Sequence, residues 1–154
     1  MVDMKAMDRN ELILKKLEAS DLTRGTTEQI RALFEQLNAS ITQREAREIV
    51  TTAETIFLTC WYNDTMVGMA LMATYKVISG HKGMIEDVVV NEQYRGKGIG
   101  KRLMQGLLQE ARSLQLSEIL LFTGHHRKAA ISLYTSLGFV LKDSGLYRLP
   151  LDKN

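Results

Sequence analysis

Hydrophobic residues along the chain recur with two periods, one typical of strands and one typical of helices. Short apolar runs rich in β-branched and aromatic residues predict strands, and apolar residues three or four positions apart predict amphipathic helices. Strands are predicted over residues 12–17, 55–62, 66–77, 84–90, 117–122, 139–141 and 147–151. Helices are predicted over residues 27–37, 43–51, 99–114 and 127–137.

The ends of the helices are predicted from capping residues. Thr26 or Thr27 is the expected N-cap of the first helix. Thr42 is the expected N-cap of the second, and Glu45 stands three positions later, as in a capping box. Gly138 follows the last helix, where a glycine commonly ends one.

The order of these elements is β-α-α-β-β-β-α-β-α-β-β, which predicts an α/β fold with a mixed sheet. The turn dipeptide Asn63-Asp64 predicts an antiparallel hairpin. The helix 99–114 lies between two strands and therefore implies a parallel crossover. No repeat or linker interrupts the pattern, so residues 1–154 are expected to form one domain, with residues 1–10 loose.

Composition excludes several classes of function. The 154 residues are 45% hydrophobic and carry 20 Lys and Arg against 18 Asp and Glu, a net charge of +2. Positive and negative charges are nearly equal in number and the cations are scattered, so the charge pattern does not favour a nucleic acid or a membrane surface as a partner. No apolar run approaches the length of about 20 residues that a membrane-spanning helix needs.

The cysteine and histidine residues predict the compartment and the absence of a metal. Cys60 is the single cysteine, so no internal disulfide can form, and its apolar surroundings predict a small buried hydrophobe. A cytoplasmic protein is expected. His81, His125 and His126 do not have the spacing of a metal site, so no metal is predicted.

The main chemical candidate is the glycine-rich turn Arg95-Gly96-Lys97-Gly98-Ile99-Gly100, which follows a strand and opens the clearest helix. The first N–H groups of a helix lack intrahelical acceptors, and the helix dipole is positive there. Glycines let the main chain approach a pyrophosphate closely. Such a turn also occurs for packing alone, so the pattern by itself is weak. The Gly-Lys-Ser/Thr ending of a nucleoside-triphosphate loop is absent.

Two motifs together resemble those of the GNAT superfamily of N-acetyltransferases. The run Val90-Asn91-Glu92-Gln93-Tyr94-Arg95-Gly96-Lys97-Gly98-Ile99-Gly100-Lys101-Arg102-Leu103 is similar to its coenzyme-A motif. The run Ala130-Ile131-Ser132-Leu133-Tyr134 with Gly138-Phe139 is similar to its second motif, Ala-x-x-Leu-Tyr followed by Gly-Phe. One position departs from the pattern, because Arg127 stands where the family usually has an asparagine that contacts the cofactor.

The resemblance implies a GNAT-like fold, with a mostly antiparallel sheet, helices on both faces and two splayed strands that form a cleft for acetyl-CoA. It also implies that the turn binds the pyrophosphate and that the strand before it pairs with the pantetheine amides. The cofactor-binding residues expected in this way are Val88, Val89, Val90, Arg95, Gly96, Lys97, Gly98, Ile99, Gly100 and Lys101.

The same resemblance implies direct attack of an amine on the acetyl carbonyl. Main-chain N–H groups near residues 88–90 are the expected donors to the carbonyl oxygen. Tyr134 is the expected proton donor to the leaving thiolate, although its apolar stripe also suits a core tyrosine. Glu86 or Asp87 is expected to accept the proton of the amine; an ion pair is the alternative, and Glu86 is slightly preferred.

The acceptor is left open between amino sugars, other small amines, polyamines and peptide amines. Residues 83–90 with 94–98 are also similar to the glucosamine-6-phosphate N-acetyltransferases, a hint toward an amino sugar. A non-catalytic acyl-CoA sensor and a nucleotide-binding module are the competing hypotheses, and the sequence leaves a homodimer open.

Overall fold

A computed structural model describes residue 8 and residues 11–151, so the prediction that residues 1–10 are loose lies largely outside the described residues. The strands are β1 (Leu12–Lys16), β2 (Thr55–Tyr62), β3 (Thr65–Val77), β4 (Gly80–Val90) and β5 (Glu118–Leu121). The helices are α1 (Arg24–Leu37), α2 (Ala46–Val50), α3 (Ile99–Ser113) and α4 (Lys128–Ser136). Short 3₁₀ turns cover Ala19–Asp21 and Glu92–Tyr94.

The five strands form one mixed sheet in the order β1-β2-β3-β4-β5. The first four strands pair antiparallel, and β5 pairs parallel with β4 after the α3 crossover. The predicted hairpin turn is confirmed, with Asn63 in the left-handed region at φ 51°. The predicted mixed α/β fold is therefore confirmed.

Helices pack on both faces of this sheet because its residues alternate direction. On one face, Phe57, Met69, Leu71 and Val89 form a buried cluster with Ile30 and Leu33 of α1. On the other face, the helix α3 lies against the sheet along a stripe that is at most 3% exposed. The stripe consists of Ile99, Leu103, Met104, Leu107 and Ala111.

The predicted starts of the first two helices are wrong. The N-cap of α1 is Thr23, whose side-chain oxygen accepts from the Thr26 N–H at 3.1 Å, so the helix begins earlier. Helix α2 begins only at Ala46 and has no side-chain cap at Glu45, so the predicted capping box is absent there. At the start of α1, Thr23, Thr26 and Thr27 offer similar capping chemistry, so the local sequence does not distinguish between them.

The chain divides into two compact units, one ending at Phe122 and one from Thr123 onward. The first unit holds the sheet with α1, α2 and α3, and the second holds α4. The two last predicted strands, 139–141 and 147–151, are wrong: these residues form neither strand nor helix. A strand exists only where its main-chain groups pair with a neighbour, and apolar alternation by itself does not supply one.

Candidate active site

The strand β4 carries a bulge at its predicted catalytic residues. Leu71 of β3 pairs with Glu86, whereas Met69 pairs with Val89, so Ala70 opposes both Asp87 and Val88. Asp87 accordingly adopts a left-handed conformation with φ 52°. A bulge of this kind bends the strand and redirects its side chains and main-chain groups. Residues 86–88 therefore depart from the regular strand geometry.

The bulge coincides with the point where β4 and β5 part. The two strands pair from Lys82 and Glu118 to Ile85 and Leu121, and β4 then continues to Val90. At the other end of the pair they are held together by the Lys82–Glu118 ion pair at 2.8 Å. Beyond Ile85, the edge of β4 on the β5 side therefore faces no strand among the described residues of this unit. This is the splayed geometry that the resemblance implies.

The carboxyl groups of Glu86 and Asp87 lie at different positions of the bulge, and both have a raised pKa. Glu86 pairs with Leu71 and so lies on the α1 face of the sheet, whereas Asp87 occupies the bulge. Burial raises the pKa of Asp87. Burial and the neighbouring Asp87 carboxylate both raise the pKa of Glu86. A carboxylate with a raised pKa is a better proton acceptor near neutral pH.

The glycine turn has the geometry of an anion nest. Gly96 and Gly98 are both left-handed, with φ 76° and 81°, and Gly98 is the N-cap of α3. A Cβ atom added to either glycine would meet nothing within 4 Å, so the main chain there is open to a ligand. The first helical hydrogen bond runs from the Arg102 N–H to the Gly98 carbonyl. The N–H groups of the three residues before Arg102 therefore lack an acceptor within the helix.

The side chains of the predicted turn residues have different surroundings. Ile99 is only 1% exposed and belongs to the core, so its side chain does not contact a ligand. Arg95 donates its Nε to the Val90 carbonyl at 3.1 Å, which braces the loop onto the end of β4. Lys101 is exposed on the first turn of α3, where it adds positive potential to that of the helix dipole.

Polar contacts fix the segment between β4 and the glycine turn. The Asn91 side chain accepts from the Gln93 N–H, and the Asn91 N–H donates to the Val67 carbonyl. Gln36 of α1 accepts from the Glu92 N–H at 2.9 Å. The turn is thus held from the sheet and from α1 together, an arrangement that sequence reasoning missed because glutamines on an exposed helix face are common.

The residue Gly68 of β3 is a second feature that sequence reasoning missed. A Cβ added there would lie 3.0 Å from Ile99 Cγ2 and 3.0 Å from Leu103 Cδ1. The missing side chain lets the first turns of α3 approach the sheet closely. The position of the nest therefore depends on a glycine that is about thirty residues away in the sequence.

In the second unit, Tyr134 is part of the helix end. The Phe139 N–H donates to the Tyr134 carbonyl, and the N–H of left-handed Gly138 donates to the Thr135 carbonyl. This is a Schellman motif, whose usual apolar contact is made here by the Tyr134 and Phe139 rings at a centroid distance of 6.1 Å. Burial raises the pKa of Tyr134, although positively charged Arg127 lowers it in part. The catalytic role of Tyr134 stays a prediction.

Arg127 occupies the N-cap of α4 and makes no side-chain cap hydrogen bond. An asparagine at this position would be able to cap the helix, whereas arginine has no acceptor. The Thr123 hydroxyl is buried and has no hydrogen-bond partner among the described residues. Sequence reasoning missed it, because a single threonine after a strand carries no signal.

A cavity of about 290 Å³ lies between α1 and the loop that leads to α2. Its charged lining residues are Arg31, Glu35, Arg44 and Glu45, and none of the predicted site residues lines it. Among the described residues, no three His, Cys, Asp or Glu side chains gather as a metal site would require. Within the same part of the chain, no helix is long and apolar enough to cross a membrane. Cys60 is fully buried, as predicted.

Comparisons with known proteins agree with the fold and with the two motifs. The model of the acetyltransferase (GNAT) family matches residues 20–139. A rat protein, N-acetyltransferase family 8 member 2, is 44% identical over 50 residues, which are 32% of this chain and 22% of that protein. The matches cover 22% of the rat protein and 53% of an IAA acetyltransferase from Azospirillum brasilense, so this chain spans only part of the length of these relatives.

Two solved structures show the same fold. An aminoglycoside acetyltransferase from an uncultured soil metagenomic sample, crystallised with trehalose, has a TM-score of 0.82 at 16% identity, with 94% of this chain and 99% of that one covered. Glucosamine-6-phosphate N-acetyltransferase from Arabidopsis thaliana has a TM-score of 0.72 at 22% identity, with 90% and 97% covered. At such identities, the likeness concerns the fold.

Proposed function

Because the chain belongs to the acetyltransferase (GNAT) family, we propose that it transfers an acetyl group from acetyl-CoA to a primary amine. The observation that carries the proposal is the open nest of main-chain N–H groups at Gly96, Gly98 and the start of α3, beside the unpaired edge of β4. A doubly charged diphosphate fits such a nest, because several N–H groups and the positive helix end converge on one anion.

The edge of β4 that extends beyond β5 supports the proposed binding of pantetheine. Residues 86–90 lie beyond the last pair with β5, so their main-chain groups on that side are available to the amides of pantetheine. Val89 is only 4% exposed and belongs to the buried cluster on the α1 face, so its side chain takes no part in this contact. Val88 and Val90 are half-buried.

The proposed reaction includes two proton transfers, one from the attacking amine and one to the leaving thiolate. Acetyl-CoA supplies the activated acetyl group; the new bond joins the amine nitrogen to the carbonyl carbon, and the bond to sulfur breaks. Glu86 or Asp87 accepts the proton that the amine loses, directly or through water. Tyr134 donates a proton to the departing thiolate. Main-chain N–H groups at the bulge stabilise negative charge on the carbonyl oxygen.

The proposed acceptor is a small amine, and amino sugars are the first class to test. Residues 83–90 with 94–98 support this choice through their similarity to glucosamine-6-phosphate N-acetyltransferases. Polyamines, amino acids and peptides complete the panel, because the fold does not set the acceptor.

Binding is tested by thermal unfolding of the full chain with acetyl-CoA and with ATP or NAD. A ligand at about one hundred times its Kd adds about 2.7 kcal/mol, which corresponds to a rise in Tm of roughly 5–10 °C for a chain of this length. Gly98→Val should abolish the rise with acetyl-CoA, because valine does not tolerate the left-handed conformation and covers the nest.

Gly138→Val is the matched control for that experiment. Gly138 is also left-handed, at φ 95°, and a Cβ there also meets nothing within 4 Å, but it lies at the end of α4. Both variants should unfold at lower temperature, and only Gly98→Val should lose the response to acetyl-CoA. An undiminished response in Gly98→Val, or stabilisation by ATP or NAD alone, contradicts the proposed site.

Turnover is tested by acetyl-CoA-dependent thiol release across the amine panel. Tyr134→Phe should slow release by about 10²-fold or more and keep the thermal response to acetyl-CoA, because a general acid contributes on that scale. Full activity in Tyr134→Phe would exclude the hydroxyl as the acid. Binding without release for any amine would favour the acyl-CoA sensor instead.

A further inference from the structure

The beginning of β5 is fastened to β4 by two sets of polar contacts, which together we term the clamp. In the first, the N–H and the hydroxyl of Ser117 both donate to the carbonyl of His81, at 2.7 Å and 3.0 Å. In the second, Lys82 Nζ donates to Glu118 Oε1 at 2.8 Å. The Lys82 side chain is only 20% exposed, so this ion pair is screened less by water and salt than a fully exposed pair would be.

Two glycines of β4 leave the room that the clamp needs. A Cβ atom added to Gly80 would collide with Ser117 Oγ. A Cβ atom added to Gly83 would lie 3.0 Å from Cδ1 of Leu116, the residue before Ser117. A glycine within a strand often marks the close approach of another part of the chain. The sequence of β4 is therefore suited to holding the beginning of β5 close.

The pairing of β5 with β4 is too short to fix its position without the clamp. The strand β5 has four residues, and β4 is its one neighbour among the strands that the structure describes. Its four pairs run from Lys82 and Glu118 to Ile85 and Leu121, where the two strands part. Short ladders of this kind are marginal by themselves. The clamp at the first pair therefore contributes to where the ladder ends and the edge of β4 becomes free.

We propose that Lys82, Ser117 and Glu118 are positioning residues for acetyl-CoA, because the clamp holds β5 where the free edge of β4 stays open to the cofactor. The inference rests on the proposed function, since it concerns the same cleft. The first pair of the ladder lies three residues, or about 10 Å, from the last. The three residues therefore act through the position of β5 and not by contact with the reacting atoms.

The proposal is tested by the Kd of the full chain for acetyl-CoA, measured by titration calorimetry well below the Tm. Lys82→Glu places two carboxylates at the first pair of the ladder and should raise the Kd by about twofold to tenfold. The double variant Lys82→Glu with Glu118→Lys restores the opposite charges in exchanged positions. Its Kd should return close to that of the unaltered chain.

Lys16→Glu is the matched control for the charge reversal. Lys16 of β1 pairs with Glu110 of α3 at 3.2 Å, also through partly exposed side chains, at the other edge of the sheet. The variant changes the net charge by the same amount and also sets two carboxylates against each other. It should lower the Tm as Lys82→Glu does, and it should leave the Kd for acetyl-CoA unchanged.

Ser117→Ala tests the other half of the clamp without any change of charge. It removes the hydroxyl contact with His81 and should raise the Kd by about twofold to tenfold, on the scale of one hydrogen bond. Hydrogen exchange of the ligand-free chain follows the strand itself. The amides of residues 118–121 should exchange faster in Ser117→Ala and in Lys82→Glu than in Lys16→Glu, because the ladder opens more often.

The outcomes separate this proposal from the proposed function. If the unaltered chain binds acetyl-CoA and both clamp variants bind it equally well, the positioning role is overturned and the proposed function stands. A loss of affinity in Lys16→Glu as large as that in Lys82→Glu would also overturn the positioning role, since net charge or general stability would then explain it. An unaltered chain that bound no acetyl-CoA would overturn both proposals.

Discussion

Asp87 is the residue at which local strain and electrostatics coincide. It has a left-handed main chain, an opposing residue shared with Val88, and a carboxyl group whose pKa is raised by burial. Each of these features costs stability, and strained or desolvated residues of this kind concentrate at functional sites. The sequence shows two adjacent carboxylates in an apolar strand but gives no indication of the bulge that separates them.

Asp87→Asn should stabilise the protein near neutral pH. Asparagine tolerates the left-handed conformation and removes the desolvated charge. A carboxyl pKa raised by folding contributes stability below the unfolded pKa, and this contribution is lost as pH rises through the folded pKa. The gain in Tm, about 1–4 °C at neutral pH, should therefore shrink as the solution is acidified. Thermal unfolding across pH measures it.

Asp64→Asn is the control, because Asp64 is exposed in the β2–β3 turn and carries the same charge change. It should alter Tm little at any pH. A gain for Asp87→Asn that grew toward acid pH would contradict the assigned cause. If Asp87 is the proton acceptor of the reaction, the same variant should be more stable and less active.

The presence of Tyr134 at its position has two explanations, one catalytic and one structural. The Ala-x-x-Leu-Tyr and Gly-Phe motif predicts a catalytic tyrosine, whereas the Schellman motif accounts for the same residues through helix termination. The ring contact with Phe139 is a structural role that Tyr134→Phe preserves. That substitution therefore separates the hydroxyl from the ring.

At the scale of elements, α1 fixes both the sheet and the approach to the glycine turn. Gln29 accepts from the Met66 N–H at 2.7 Å, and Gln36, seven positions later on the same stripe, accepts from the Glu92 N–H. The two contacts hold the start of β3 and the 3₁₀ turn before Arg95. Helix α1 thereby positions the nest without contributing a residue to it.

Gln36→Met should raise the KM for acetyl-CoA and leave kcat nearly unchanged. The hydrogen bond contributes about 0.5–1.5 kcal/mol, so its loss should weaken cofactor binding by roughly twofold to tenfold. Gln36→Glu keeps an oxygen acceptor and should restore binding. Steady-state kinetics with acetyl-CoA as the varied substrate makes the comparison.

Two results would contradict this positioning role. A loss of kcat of the same size, with no change in KM, would mean that Gln36 acts on the chemical step. Equal effects of Gln36→Met and Gln36→Glu would mean that the hydrogen-bond acceptor is irrelevant and that the side chain acts through its volume.

At the scale of the whole molecule, the first unit is a sheet between two helical layers. Glycines set how closely those layers approach, since Gly68 admits Ile99 and Leu103, and Gly106 of α3 faces Leu14 and Leu58. A Cβ at Gly106 would lie 2.6 Å from Leu14 Cδ2. Because this packing is close, the position of the sheet fixes the position of the N-terminus of α3, where the nest lies.

Much of the fold could be predicted from the sequence, because local patterns carry it. The strand periods, the α3 stripe and the turn at Asn63 each depend on residues close together in the chain. The start of α1 could not be predicted, because Thr23, Thr26 and Thr27 offer the same capping chemistry. The start of α2 could not be predicted either, because it has no side-chain cap. The two last strands could not be predicted either, since a strand requires a partner from elsewhere.

The sequence alone determined the family, the mixed sheet and the glycine turn, since each depends on short runs of residues whose chemistry acts locally. Only the tertiary structure decided the bulge at Asp87, the parting of β4 from β5, and the support of the turn by Gln36 and Gly68. These features join residues far apart in the chain. Their free energies depend on packing and pairing, which no local pattern of residues encodes.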